Sequence, residues 1–138
     1  MVEELLKFKV NTSVALIIGA SSRIAQAIIA QLLEADDKRQ IIAVSRQQSE
    51  LVDQRLHWLQ TSYDEDAIAT LCAELNSNGT LVLQSVFICN GILHDEFLKP
   101  ERALSDFDPA NYSKVHHVNA LIPMLWLKHL KPFFNRES

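Results

Sequence analysis

The 138 residues carry 13 basic and 17 acidic side chains, a net charge of −4, and 48% hydrophobic residues. A chain of this length buries one core, and its acidic balance argues against a nucleic-acid surface built on bulk electrostatics. The uncharged stretch Val10–Ser22 is too short and too polar to span a bilayer, and Met1–Val10 mixes acids and lysines unlike a secretory leader. Cys72 and Cys89 lack the C-x-x-C spacing. Buried free thiols of a cytoplasmic protein are the plain expectation.

Val14–Ile18 is a continuous apolar run between Thr12-Ser13 and Gly19, the pattern of a parallel strand buried on both faces. From Ser22 to Glu34 the periodicity becomes helical, with Ile24, Ala25, Ile28, Ile29, Leu32 and Leu33 on one side, and Asp36-Asp37-Lys38 closes that helix. Ile41–Val44 reads as a second strand, and polar Ser45-Arg46-Gln47-Gln48 follows it. A short helix is expected before a third strand at Leu56–Leu59. Asp64–Leu75 reads as a helix capped by Asp64 or Ser62, and Asn76-Ser77-Asn78-Gly79 ends it. Leu81–Cys89 is a fourth apolar strand, turned at Asn90-Gly91. Beyond Pro100 and Pro109 a helix begins near Ala110, capped by Ser105 or Asp108, with Val115, Val118, Ile122, Leu125, Trp126 and His129 at helical spacing. Pro123 should bend or divide this helix and Pro132 should end it. Strands alternating with helices build a doubly wound parallel α/β sheet in one domain, with right-handed crossovers.

The chemistry concentrates at Ile17-Ile18-Gly19-Ala20-Ser21-Ser22-Arg23-Ile24-Ala25. A strand that runs through glycine into a helix presents unpaired N–H groups and the positive end of the helix dipole, which attract a pyrophosphate. Ser21 and Ser22 add hydroxyls, Arg23 adds a cation, and Ala25 stands where a glycine or alanine lets helix and strand pack closely. On spacing alone, the turn suits a nucleotide cradle or an empty α/β turn with a solvated arginine. Selectivity for the ribose 2′ position is expected about 20 residues beyond such a turn. Here Ser45 and Arg46 stand there, with no acid before Glu50. A hydroxyl and a planar guanidinium suit a 2′-phosphate, so NADP (NADPH) is favoured over NAD.

Taken together, these fragments resemble the coenzyme-binding half of the short-chain dehydrogenase/reductase family over about residues 12–134. The family's Thr-Gly-x-x-x-Gly-x-Gly is similar to Ile18–Ala25, its Asn-Asn-Ala-Gly to Ile88-Cys89-Asn90-Gly91, and its helix asparagine to Asn119 within His117-Val118-Asn119-Ala120. The resemblance implies a partial Rossmann-like sheet of about four strands in the order 3-2-1-4. It further implies pyrophosphate contacts from Gly19, Ser21, Ser22, Arg23 and Ile24, and 2′-phosphate contacts from Ser45 and Arg46. Gln60 falls where the family has an adenine-contacting acid, and Asn90 and Gly91 would line the nicotinamide side. Arginine at the second glycine position resembles the variant of pteridine reductases, whose arginine approaches the cofactor phosphates.

In the family, a relay of Asn, Ser, Tyr and Lys performs carbonyl reduction or alcohol oxidation. Asn119 corresponds to its asparagine, but no Tyr-x-x-x-Lys occurs: Ala67 follows Tyr63, and His116 follows Tyr112, at the lysine's place. Two readings therefore stand. One is a truncated NADP(H)-dependent oxidoreductase whose parent takes a small-molecule carbonyl or alcohol. The other is a non-catalytic nucleotide-binding or protein-interaction module. His94, His116, His117 and His129 lack metal-ligand spacing, so no metal is expected. Trp126, Leu127, Leu130, Phe133 and Phe134, with the open edge of the fourth strand, suggest a homo-oligomer formed through the C-terminal helix or that edge.

Overall fold

Strand β1 (Thr12–Ile18) lies between β2 (Gln40–Ser45) and β4 (Leu81–Ile88), with β3 (Leu56–Gln60) outside β2. The order is β3-β2-β1-β4, as the resemblance implies, and every pairing is parallel, as the alternation of strands and helices predicts. Val14–Ile18 are fully buried because helices cover both faces of the central strand. The computed structural model describes residues 8–9, 11–35, 38–77, 79 and 81–134. The predicted helix stop at Asp36-Asp37 and the turn residue Asn78 lie outside the described residues.

Side chains alternate across β1 and sort the core into two layers. Val14, Leu16 and Ile18 join Ile68, Leu71, Cys72 and Leu75 of α2 (Glu65–Ser77) and Ile122, Trp126, Leu130 and Phe133 of α4 (Ile122–Phe134). Ile17 faces the other way, against Ala25 and Ile29 of α1 (Arg23–Glu34). One helix therefore covers one face and two cover the other. The β1–β4 register shifts between Val14 and Ala15, leaving Gln84 as the extra residue, and Ser13 Oγ donates to Gln84 Oε1 at 2.6 Å.

Three local expectations change. No helix forms between β2 and β3: Leu51 and Val52 are exposed in this polar stretch, so it has no apolar face to bury. Pro132 does not end α4, which continues to Phe134 because Phe133 is buried in the core. Of the C-terminal apolar residues expected to lie uncovered, Trp126, Leu130 and Phe133 are core, while Leu127 and Phe134 are exposed.

The long helix runs on through Pro123, with a π-helical turn just before it in place of a break. Helix α3 (Pro109–His116), capped by Asp108 Oδ1 accepting from Ala110 N–H, passes into a π-helical turn at His117–Leu121, and α4 follows. Among the described residues, no helix is long and apolar enough to cross a membrane, and no group of three His, Cys, Asp or Glu is placed to hold a metal.

Candidate functional site

Gly19 ends β1 with φ +74, in the left-handed region that favours glycine. A Cβ there would also meet Asn90 N at 2.6 Å, so the backbones after β1 and β4 touch only because the side chain is missing. Cys89 N–H continues the pairing to Ile18 O at 2.8 Å. A cleft opens beside this contact at the carboxyl ends of the strands, where open parallel sheets bind ligands. Its volume is about 250 Å³, and Gly19, Ser21, Ser22, Arg46, Asn90 and Gly91 are among the residues that line it.

The backbone donors of the turn divide cleanly. Gly19 N–H goes to Tyr63 Oη, Ala20 N–H to Val44 O, Ser22 N–H to Gly19 O, and Ala25 N–H to the capping Ser22 Oγ at 3.1 Å. Gln26 N–H already bonds Ser22 O. That leaves the N–H groups of Ser21, Arg23 and Ile24 without a partner among the described residues, clustered at the positive end of α1. The Ile24 side chain is exposed, so its contribution to such a site is its backbone N–H. Arg23, also exposed, occupies the first helical position.

After β2 the chain is pinned from β3. Gln60 Nε2 donates to Arg46 O at 3.0 Å, Trp58 Nε1 to Gln47 O at 2.8 Å, and Thr61 N–H to Ser45 O at 2.9 Å. Gln60 keeps its side-chain carbonyl as the end left for a ligand. Ser45 is 1% exposed and its Oγ accepts from Gln47 N–H at 3.0 Å. Its hydroxyl is therefore engaged in the turn, and Arg46 is the exposed member of the pair.

The loop after β4 is tied to the π-helical turn. Asn119 Nδ2 donates to Ile92 O at 2.8 Å and Oδ1 accepts from Ile92 N–H at 2.7 Å, so both ends of that amide hold backbone. Asn90 Nδ2 donates to Val118 O at 2.9 Å, while its Oδ1 is buried without a partner among the described residues. Farther along, Asp95 accepts from the Phe97 and Leu98 N–H groups and pairs with Lys114, which holds its carboxyl down to about 2, the ammonium contributing most.

Sequence reasoning missed Tyr63 as a component of the site. Its hydroxyl accepts from Gly19 N–H at 2.9 Å and donates to Val44 O at 3.2 Å, bridging the ends of β1 and β2. Burial pushes the phenol above its usual value, while the Gly19 bond and Arg46 pull it back in part. The group stays a neutral hydroxyl, able to donate and accept at once. No motif spacing links Tyr63 to Gly19; the contact exists only because β2 and β3 bring the start of α2 back over β1.

A larger cavity of about 930 Å³ opens at the opposite end of the sheet, lined by Lys38, Arg39, Arg55 and others. It lies at the amino ends of the strands, away from the switch point between β1 and β4 where the helix terminus and the glycine turn converge.

No family model matches the chain, and no curated protein is similar to it in sequence. Solved structures are similar in fold. A short-chain dehydrogenase from Leptospira borgpetersenii with bound NAD+ matches 91% of this chain and 47% of its own, at a TM-score of 0.72 and 17% identity. The NADPH-bound carbonyl reductase from chicken fatty liver matches 91% of this chain and 49% of its own, at 0.70 and 16%. A short-chain dehydrogenase family protein from Francisella tularensis matches 88% and 46%, at 0.70 and 20%. The chain spans about half the length of these structures, and its β3-β2-β1-β4 sheet with flanking helices is the fold of one half of a short-chain dehydrogenase.

Proposed function

We propose that this chain is the coenzyme-binding half of an NADP-linked short-chain dehydrogenase/reductase and that its own task is to hold the nucleotide. One observation carries the reading. Three N–H groups without a partner among the described residues, of Ser21, Arg23 and Ile24, meet at the N-terminus of α1 beside Gly19, against which the Asn90 backbone packs. A pyrophosphate satisfies such donors and complements the helix dipole. Ser22 caps the helix that presents them, and Arg23 adds a positive charge at the same end.

Arg46 at the end of β2 supplies a permanent, bidentate-capable cation where a 2′-phosphate would lie. Gln60 offers its carbonyl to an adenine amino group, and Asn90 and Gly91 form the wall on the nicotinamide side. A bound nicotinamide would supply the hydride chemistry, and these residues would orient it. Proton transfer is not assigned to this chain. The Tyr63 hydroxyl is held by Gly19 and Val44, Tyr112 is exposed with His116 stacked on it, and Asn119 is committed to Ile92. Asn119 thus acts as a positioning residue for the loop after β4. The substrate of the parent activity is a small carbonyl or alcohol, the compartment is the cytoplasm, and the outer face of α4 or the β4 edge joins a second copy.

The test is a calorimetric titration of NADPH and NADH into the wild-type chain and into Arg46→Ala. NADPH should bind more tightly than NADH, and Arg46→Ala should weaken NADPH about tenfold while leaving NADH unchanged, the size of one charge-assisted contact. Equal affinity for the two nucleotides removes the role of Arg46. No binding of either removes the proposed function.

A further inference from the structure

We infer that Tyr63 sets how strongly the cleft discriminates at the ribose 2′ position, by holding the Arg46 guanidinium at its mouth. The inference rests on the nucleotide reading above and assigns its selectivity to a residue outside the two anion-binding segments.

The Arg46 guanidinium carbon lies 5.8 Å from the centroid of the Tyr63 ring, within cation–π range. Because Gln60 and Trp58 fix the backbone carbonyls of Arg46 and Gln47, what is left to orient is the arginine side chain itself. A long exposed side chain loses rotamer freedom when it grips a ligand, and stacking on a fixed ring removes part of that loss beforehand. The ring is fixed. Its hydroxyl is held by Gly19 and Val44, and its edge meets Trp126 at a centroid distance of 5.8 Å and an angle of 88°. Trp126 is fully buried in the core. The one side chain therefore ties the glycine turn, which would meet the pyrophosphate, to the arginine that would meet the 2′-phosphate.

The hydroxyl and the ring do separable work, so two substitutions separate them. NADPH and NADH are titrated into the wild type, Tyr63→Phe, Tyr63→Leu, Arg46→Ala and the Tyr63→Leu/Arg46→Ala double variant. Thermal midpoints are measured in parallel. Tyr63→Leu should lower the NADPH-over-NADH affinity ratio about two- to fivefold, the range of an exposed cation–π contact. It should change the ratio no further in the Arg46→Ala background. Tyr63→Phe keeps the ring and should keep the ratio, while its thermal midpoint falls with the loss of two hydrogen bonds. A purely structural role predicts equal weakening of both nucleotides, so an unchanged ratio in folded Tyr63→Leu overturns the inference.

A second readout needs no nucleotide. The Arg46 side-chain protons should be ring-current shifted in wild type and Tyr63→Phe, and unshifted in Tyr63→Leu. Unshifted protons in the wild type overturn the positioning role. Shifted protons with neither nucleotide bound place the failure in the proposed function, and the selectivity role falls with it.

Discussion

At Gly19 two demands coincide: a left-handed backbone, and an approach so close that a Cβ would stand 2.6 Å from Asn90 N. Arg23 shows the opposite tolerance. It stands at the first helical position without entering the β1–β4 contact, because its side chain is exposed. The two cysteines differ by burial. Cys72 is 2% exposed within the layer under α2, and desolvation pushes its thiol up to about 12. Cys89 is half-buried in the wall of the cleft, and burial raises its thiol as well. Thiolate is the reactive form, and a raised value keeps it scarce through neutral and mildly alkaline pH. Alkylation of the native protein at pH 8, followed by mass spectrometry, should therefore label Cys89 slowly and leave Cys72 unmodified, whereas urea should expose both. Equal native and unfolded rates at Cys72 would contradict its burial. Protection of Cys89 by NADPH would support the cleft as the nucleotide site.

The π-helical turn before α4 explains how a helix and a loop lock together. Ile122 N–H reaches back to His117 O, five residues away, and Pro123 has no N–H to donate. Both effects leave Val118 O open, and Asn90 Nδ2 takes it. One residue later, Asn119 closes two hydrogen bonds with Ile92, and Gly91 fits beneath because a Cβ there would stand 3.3 Å from Asn119 Oδ1. These bonds lie near solvent, so their net contribution is modest. Asn119→Ala should cost about 1 kcal/mol. Hydrogen exchange at the Ile92 amide should accelerate more than exchange in β1 or β4. Unchanged exchange at Ile92 would show that the loop is held by other contacts. A larger loss of nucleotide affinity than of stability would show that the loop shapes the cleft.

Across the whole molecule, the sheet is covered unevenly. Leu121, Met124, Leu127 and Phe134 form an exposed apolar stripe along the outer side of the π-helical turn and α4, and β4 is the sheet edge on that side of β1. Apolar patches and open strand edges both favour association. Sedimentation velocity across a concentration range should show self-association. Met124→Lys should weaken it if the helix is the contact, and Val82→Lys on β4 should weaken it if the edge is. A monomer at all concentrations would remove both.

The parallel strands and the main helices are legible because β1 and β2 are unbroken apolar runs and the helices repeat at helical spacing, whereas the strand order follows only from the family resemblance. A doubly buried strand leaves that mark in any sequence, as does an amphipathic helix. The turn at Gly19 is legible for the same kind of reason, since a glycine between a strand and a helix is a local requirement. That the Ser45 hydroxyl is buried against Gln47 N–H is not legible in the sequence, because burial is not a local property. The stretch between β2 and β3 misled likewise, since nothing there but Leu51 and Val52 had to choose between core and solvent.

The sequence by itself determined the four strands and the principal helices, where the chain must turn at Gly19, and that a cation, Arg46, directly follows β2. These follow from periodicity, backbone sterics and charge within a few residues of chain. Only the tertiary structure decided that Tyr63 joins the glycine turn to Arg46 and that Asn119 grips the loop after β4. Each of those depends on partners brought together from distant positions, and no local pattern encodes a distance across the sheet.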